Sequence, residues 1–302
     1  MADIVIGVDE SQGAAEALRW AVREAELRGW TVRAVLAWGL LDQHHADGSQ
    51  RFDPAYDSAD ALAALDAAVV AAVGPETART VERSAVCDLP ARALLTAAAD
   101  ARLLVVGARG LGGFQRLLLG SVSDQCLHHA RCPVAVIHAG QAATDRPVHD
   151  RVVVGVDDSD HARRALRWAI GEARARGSAL RVVHAWMPPA FAAYPYGAVV
   201  EGPDVFGADA RDMVTSVLES EDLSGLAGPL ERAVVCDRPA AALLDAAKEA
   251  DLVVVGSRGA GGFPGLRLGS VSQQVARHSP SPVVVVRDGE AADEADEAEA
   301  GT

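Results

Sequence analysis

The sequence predicts an α/β protein of two tandem domains, each an open parallel sheet with helices on both faces. Three observations lead to this prediction. The chain has 302 residues, which exceeds one typical domain of roughly 100 to 200 residues. Its second half repeats motifs of its first half. Each half also alternates short Val, Ile and Leu runs with longer helical patterns, as βαβ units do.

The duplication is visible in three pairs of motifs. The segment GVDES at residues 7–11 recurs as GVDDS at 155–159. Further on, GARG at 107–110 recurs as GSRG at 256–259. The segment GSVS at 120–123 is repeated unchanged at 269–272. Because solenoid repeats recur every 20 to 50 residues, this wide spacing indicates one domain of about 140 residues that was copied once.

The elements of each half follow from apolar runs and periodicity. The first half has strand-like runs, nearly continuously apolar as strands covered on both faces are, near residues 4–8, 31–37, 81–86, 103–106 and 134–137. The helix after the first strand places six apolar residues on one face at i, i+3, i+4 spacing, and its copy does the same. These residues are Ala14, Ala17, Leu18, Ala21, Val22 and Ala25, then Ala162, Ala165, Leu166, Ala169, Ile170 and Ala173.

The domain boundaries are predicted from composition. We expect a first domain at 1–140, a polar linker at 141–150 and a second domain at 151–288. The segment 289–302 contains acidic residues and no base. Such a segment cannot form a packed core and is predicted to be disordered, with an acidic interaction tail as the alternative.

Charge and residue usage exclude several classes of function. A net charge of −14 argues against nucleic acid and anionic membranes as partners, because both are bound through an excess of Lys and Arg. There is no apolar run of ~18 residues that could span a membrane and no signal-peptide pattern, so we expect a cytoplasmic protein. The four cysteines lack CxxC spacing and are predicted to be buried or half-buried thiols.

No catalytic or metal-binding constellation emerges from the remaining polar residues. His44 and His45 lie in a polar loop and are predicted to be solvated, with metal binding as the alternative. His128 and His129 are adjacent on a helix, so they point about 100° apart and make a poor metal pair. We therefore assign no catalytic residue and no metal ligand.

The strongest functional signal is a glycine pattern between the fourth strand and the last helix of each half. It reads Gly107-x2-Gly110-x9-Gly120-Ser121 and recurs from Gly256 to Ser270. We expect these glycines to adopt positive φ and to let a ligand approach the backbone. The N–H groups and dipole of the following helix start would favour a phosphate. The alternative is that the glycines only form turns and that the serines are helix N-caps.

Other nucleotide motifs do not fit this pattern. A Walker A loop needs Lys after its second glycine, but Gly113 and Phe114 follow Gly112. A dinucleotide fingerprint beginning at Gly110 meets Gln115 where its last glycine should stand, and the loop follows the wrong strand. The carboxyl ends of parallel strands form a crevice in open sheets, which places Asp9 in the same crevice as the glycine loop.

The G-x2-G-x9-G-[S/T] spacing resembles the ATP-binding signature of the universal stress protein family. The resemblance covers almost all of residues 2–138 and 151–287. It extends to the opening GVDxS, to the strands LLVVG and LVVVG, and to CPV or SPV before the last strand. It implies five parallel strands in the order 3-2-1-4-5 in each domain, ATP in the crevice, and cytoplasmic roles in stress tolerance or growth arrest.

The resemblance also implies the contacts of each site. The aspartates would contact the adenosine part, with Gly7 and Gly155 beneath it. The alanines at the end of the second strand would offer backbone groups to adenine, and the loop glycines and helix start would hold the phosphates. From the residues themselves, the loop arginines Arg109 and Arg258 could also reach the phosphates, with solvated surface arginine as the alternative. The first set is Gly7, Asp9, Ala37, Gly107, Arg109, Gly110, Gly112, Gly113, Gly120, Ser121, Val122 and Ser123. The second set is Gly155, Asp157, Ala185, Gly256, Arg258, Gly259, Gly261, Gly262, Gly269, Ser270, Val271 and Ser272.

One departure from the family pattern concerns charge. Where the family often has glycine before x-Pro after the third strand, this chain has Asp88 before Leu89-Pro90 and Asp237 before Arg238-Pro239. We expect the added negative charge to weaken one or both sites.

The sequence therefore predicts reversible ATP binding by a nucleotide-sensing stress-response module, with Mg²⁺ left open. The alternatives are a slow ATPase or other nucleotide-dependent enzyme, and a ligand-free scaffold. We expect a protein partner that the sequence does not identify. The two domains are predicted to pair with each other, because a parallel sheet leaves its last strand as an edge; a homo-oligomer is left open.

Overall fold

The computed structural model describes residues 2–49, 51–110, 119–141, 148–187, 203–261 and 266–287. Two compact units can be distinguished. The first unit contains Met1–Pro147 together with Pro282–Thr302, and the second contains Val148–Ser281. The predicted linker residues 142–147 and the predicted acidic tail 289–302 lie outside the described residues.

The first unit alternates strands and helices in the predicted way. Its elements are β1 (Ile4–Gly7), α1 (Gln12–Arg28), β2 (Val32–Trp38), α2 (Ser58–Val73), α3 (Pro75–Ala78), β3 (Val81–Cys87), α4 (Pro90–Ala97), β4 (Leu103–Gly107), α5 (Ser121–His129) and β5 (Val134–Ile137). These strands lie in the order β3-β2-β1-β4-β5, and every pairing among them is parallel. The order 3-2-1-4-5 is therefore confirmed here.

The second unit repeats this arrangement with four strands instead of five. Its elements are β6 (Arg151–Gly155), α6 (Asp160–Arg176), β7 (Ala179–Trp186), α7 (Pro203–Glu219), β8 (Leu230–Cys236), α8 (Pro239–Ala246), a short 3₁₀ helix (Ala247–Glu249), β9 (Leu252–Gly256) and α9 (Ser270–His278). The strands lie in the order β9-β6-β7-β8 and pair in parallel. The predicted α/β architecture is thus present in both copies.

The last strand of the described residues, β10 (Val283–Val286), belongs to the first unit. It pairs antiparallel with β5, where Val283 lies opposite Val136 and Val285 opposite Val134. The sheet of the first unit is therefore mixed: five parallel strands carry one antiparallel strand on β5.

The first helix of each unit begins and ends at residues that explain its length. In α1 the Ser11 hydroxyl accepts a hydrogen bond from Ala14 N at 3.1 Å, and Gly29 ends the helix in the left-handed conformation with φ 65°. In α6, Ser159 and Gly177 do the same, which fits the usual asymmetry of helix caps. All twelve apolar residues predicted for the inner faces of these helices are buried, so that prediction is confirmed.

Two of the four cysteines are buried and two are exposed. Cys126 and Cys132 are buried, and burial raises the pKa of the Cys126 thiol to about 12 and that of Cys132 to about 11. Cys87 and Cys236 are exposed, so the expectation of four buried or half-buried thiols is wrong for these two. Both end the third strand of a unit, where the chain leaves the sheet. Within the described ranges, no helix is both long enough and apolar enough to cross a bilayer.

Candidate functional site

A cavity of about 460 Å³ opens at the carboxyl ends of the strands in the first unit. Its volume falls within the usual range for small-molecule sites. Gly112 and Gly113 lie outside the described residues. All the other predicted residues line this cavity, namely Gly7, Asp9, Ala37, Gly107, Arg109, Gly110, Gly120, Ser121, Val122 and Ser123.

The second unit has a cavity of about 290 Å³ at the equivalent place. Gly262 lies outside the described residues. The cavity is lined by the remaining predicted residues, namely Gly155, Asp157, Ala185, Gly256, Arg258, Gly259, Gly261, Gly269, Ser270, Val271 and Ser272. The structure thus brings the described members of each predicted set together around one cavity.

Sequence reasoning missed the apolar part of both linings. The first lining includes Val8, Ala14, Val35, Pro90, Leu94 and Val106. The second includes Val156, Ala162, Val183, Pro239, Leu243 and Val255. Each residue of the first group has the same residue type at the equivalent place in the second repeat. Comparison of the two copies position by position would therefore have found them.

The aspartate after the first strand accepts hydrogen bonds that brace the neighbouring segments of each site. Asp9 Oδ1 accepts hydrogen bonds from the Ser11 backbone N at 3.2 Å and from the Ser11 hydroxyl at 2.6 Å. Asp157 Oδ1 accepts the same two bonds from Ser159, and its Oδ2 accepts one from Ala260 N at 2.8 Å. In the second unit one carboxylate therefore joins the end of the first strand, the start of the following helix and the glycine loop.

The pattern glycines are required for space. A Cβ on Gly110 would collide with Asp9 Oδ2, and a Cβ on Gly259 would lie 2.5 Å from Asp157 Oδ2. A Cβ on Gly107 would lie 2.9 Å from the backbone carbon of Gly13. Such separations are essentially forbidden by sterics. The loop, the carboxylate and the helix start therefore approach as closely as they do only because these side chains are absent.

The expectation of positive φ in the loop is wrong for its described glycines. Positive φ occurs at other glycines of the described chain, among them the helix C-caps Gly29 and Gly177. Gly120 has φ −77° and Gly269 has φ −77°, values that any residue can adopt. Close packing, which sequence periodicity does not report, is what excludes larger residues from Gly107 and Gly110.

The last helix of each unit begins at the cavity. The N-caps of α5 and α9 are Gly120 and Gly269, and among the described residues no side chain caps either helix. Ser121 and Ser270 are the first helical residues, so the N-cap alternative is wrong. The first N–H groups of an α-helix have no acceptor within the helix. Because this first turn lines the cavity, its donors and dipole favour an anion there.

The third residue of this helix holds it on the sheet. The Ser123 hydroxyl donates to Gly107 O at 2.6 Å, and the Ser272 hydroxyl donates to Gly256 O at 2.6 Å. Both serines are buried. These hydroxyls therefore fix the helix start relative to the fourth strand, and the same turn lines the cavity.

Known proteins resemble this chain over almost its whole length. The sequence profile of the universal stress protein family matches residues 1–138 and again 149–287. The chain belongs to the universal stress protein family. A universal stress protein of Mycobacterium tuberculosis is 35% identical over 304 residues, which cover 94% of this chain and 96% of the relative. One of Mycobacterium bovis is 34% identical over 300 residues, with the same coverage of 94% and 96%.

Solved structures show the same fold. A universal stress protein from Archaeoglobus fulgidus aligns with a TM-score of 0.61 and 22% identity, over 95% of this chain and 98% of its own. A functionally unknown protein from Pseudomonas aeruginosa aligns with a TM-score of 0.62 and 16% identity, over 99% and 97% of the two chains. The shared fold therefore extends over nearly the whole chain.

The first universal stress protein domain adds two polar side chains to its cavity. Asp42 and His44 line it, and His44 is buried between two carboxylates. Its Nδ1 lies 3.6 Å from Glu10 Oε2 and its Nε2 lies 3.6 Å from Asp42 Oδ1. The sequence did not predict that Asp42 and His44 line the cavity. They lie in the connection after β2, which differs between the two repeats.

His44 and His45 are buried, so the expectation of solvated loop histidines is wrong. The loop folds back on itself: the Tyr56 hydroxyl donates to His44 O at 2.5 Å, and His45 packs edge-on against Tyr56. His45 Nε2 also lies 3.0 Å from Arg51 O. In the part of the chain that the structure describes, no group of three His, Cys, Asp or Glu side chains is arranged to hold a metal ion.

The extra aspartates before the helix prolines lie outside both linings. Arg92 Nε donates to Asp88 Oδ1 at 2.6 Å, and this side-chain hydrogen bond lowers the pKa of the Asp88 carboxyl. The charge of Asp88 is therefore compensated locally. The second domain has Ala241 at the position equivalent to Arg92, so Asp237 lacks that particular cation.

Proposed function

We propose that each unit binds ATP in the cavity beside its glycine loop and that the protein acts as a nucleotide-sensing module. The observation that carries the proposal is the uncapped helix start, which borders an apolar cavity in both units. The helix start in the lining offers backbone donors for phosphates. Apolar lining side chains such as Val35 and Leu94 suit a purine ring.

Membership of the universal stress protein family and the glycine spacing support the same ligand. Ala37 and Val35 both line the cavity, and Ala37 lies at the carboxyl end of β2. There the backbone of Ala37 can contact adenine. Mg²⁺ in such sites is held mainly by phosphates and water, so we propose it only as a companion of ATP.

Calorimetric titration of the full-length protein tests the proposal. We expect ATP to bind with a stoichiometry near two, and adenosine to bind at least about tenfold more weakly, because it cannot use the helix-start donors. Nucleotide that copurifies with the protein, identified by mass spectrometry, provides an independent check. The proposal would be wrong if ATP at about 1 mM gave neither heat nor a melting shift, or if adenosine bound as tightly as ATP.

We further propose binding without rapid turnover. Phosphoryl transfer usually requires a residue that places the nucleophile. Asp9 and Asp157 are candidates by type, but both carboxylates accept hydrogen bonds from their own loops, which suits a bracing role. We expect turnover well below ~1 s⁻¹, under the ordinary enzyme range. Phosphate release at about 1 s⁻¹ or faster that is lost in the Asp9→Asn, Asp157→Asn double variant would instead establish the ATPase alternative.

In the cell we propose that ATP favours one conformation of the module and so changes its association with a protein partner. A reducing compartment such as the cytoplasm fits the free thiols of Cys126 and Cys132, because cytosolic thiols are kept reduced.

A further inference from the structure

The two sites differ at one position of the first helix. Gly13 in α1 and His161 in α6 are each the second helical residue after the capping serine. Both backbones pack against the last residue of the fourth strand, Gly107 or Gly256. Only His161 has a side chain, and its Nε2 lies 3.0 Å from Arg258 Nε in a hydrogen bond. The first unit cannot form this bond because glycine stands in the equivalent place.

The direction of this hydrogen bond follows from the two groups. A guanidinium group only donates, so His161 Nε2 accepts, and the ring carries its proton on Nδ1. A bond to Nε fixes the plane of the guanidinium group and therefore the directions of its terminal N–H groups. Arg258 lines the second cavity together with Gly259 and Ser270. A guanidinium group held there has the geometry and charge that bind phosphate oxygens.

We propose that His161 is a positioning residue that orients Arg258 toward the phosphates of a nucleotide in the second site. This inference rests on the proposed function and adds that the two sites are not equivalent. The second site recognises phosphate through a fixed cation as well as through its helix start. In the first site Arg109 has only Gly13 at the corresponding helix position, so its orientation does not depend on an imidazole acceptor.

The test uses full-length protein in which the first site is silenced by Gly110→Val, so that only the second site is titrated. ATP and adenosine are each measured by calorimetry. We expect His161→Ala to weaken ATP binding about tenfold, the loss typical of one charge-assisted contact. Adenosine binding should change less than about twofold, since adenosine has no phosphate for Arg258 to contact.

Three further variants separate positioning from a general structural role. In His161→Gln the amide oxygen can accept from Arg258 Nε, so ATP affinity should return to within about threefold of the parent. Arg258→Lys keeps the charge but lacks Nε, so it should lose ATP affinity as His161→Ala does. His278→Ala changes an exposed histidine of the same unit that lies outside the cavity, and it should bind like the parent.

The outcomes distinguish this inference from the proposed function. If the parent binds ATP but His161→Ala binds it equally well, the positioning role is refuted and ATP binding stands. An equal loss for ATP and adenosine, or no recovery in His161→Gln, also refutes it. If the parent and the wild-type protein bind no ATP at all, both the inference and the proposed function are wrong.

Discussion

Replacement of Gly110 by Val is expected to abolish ATP binding in the first site, and Gly259→Val is expected to do so in the second. Each new Cβ would collide with the aspartate carboxylate that braces the same site. Either the carboxylate must rotate or the loop must shift, and both changes disturb the contacts that hold the site together, such as the bonds that Asp9 accepts from Ser11. We expect affinity at the altered site to fall at least about 100-fold, equivalent to roughly 3 kcal/mol.

Stoichiometry measures this effect directly. The number of ATP molecules bound per chain should fall from two in the wild type to one in each single variant and to zero in the double variant. Wild type at 100 times its dissociation constant should gain about 2.7 kcal/mol per site, and the double variant should lose the corresponding melting shift. Gly171→Val is the matched control, because a Cβ at Gly171 has nothing within 4 Å. A folded double variant that still binds two ATP molecules would contradict the site assignment.

Replacement of Gly120 or Gly269 by Val is expected to weaken ATP binding less than Gly110→Val or Gly259→Val. A Cβ at Gly120 would lie 3.4 Å from Ala108 O, and one at Gly269 would lie 3.4 Å from Ser257 O. These are ordinary contact distances. The structure therefore identifies Gly110 and Gly259 as more sensitive to added volume than the helix N-caps Gly120 and Gly269.

The largest expected effect on stability is at the end of the fourth strand. A Cβ on Gly107 would lie 2.9 Å from Gly13 C and 3.2 Å from Ala14 N, and one on Gly256 would lie 2.8 Å from His161 C and O. Backbone atoms cannot rotate out of the way, so the helix must move off the strand. We expect Gly107→Ala and Gly256→Ala each to lower the free energy of unfolding by about 3 kcal/mol, the upper part of the range for overpacked cores.

Denaturant unfolding of each variant checks this value. Gly171→Ala provides the control in the opposite direction, because it adds a methyl group in open space within α6. It should raise the free energy of unfolding by roughly 0.5–1 kcal/mol through helix propensity alone. If the free energy of unfolding of Gly107→Ala lay within about 0.5 kcal/mol of the wild-type value, the close approach of α1 to β4 would not exclude a side chain at Gly107.

Sequence patterns predicted the fold well because its determinants are local and repeated. The helix face from Ala14 to Ala25 follows from period 3.6, and the buried runs such as residues 103–106 follow from strands covered on both faces. The end of β1 at Gly7 was expected within one residue. Because both copies carry the same patterns, each assignment in one half was supported by the other.

The details of the site depend on contacts that such patterns do not encode. The distance between Gly107 and Gly13 is set by how α1 packs on β4, which no local motif specifies. Asp42 and His44 reach the first cavity because Tyr56 holds their loop in place. The bond from Arg258 to His161 joins residues far apart in the chain. The glycine pattern of the site can therefore be recognised in the sequence, but the other side chains that complete the site are determined by tertiary packing.

The antiparallel pairing of β10 with β5 has a consequence for synthesis of the chain. Val136 leaves the ribosome almost half a chain length before Val283, its partner in the sheet. At about 5–20 residues per second, the outer edge of β5 remains without that strand for roughly 7–30 s. Exposed strand edges invite pairing with other chains. The nascent first unit is therefore most vulnerable to misassembly during this interval, which ends when β10 pairs with β5.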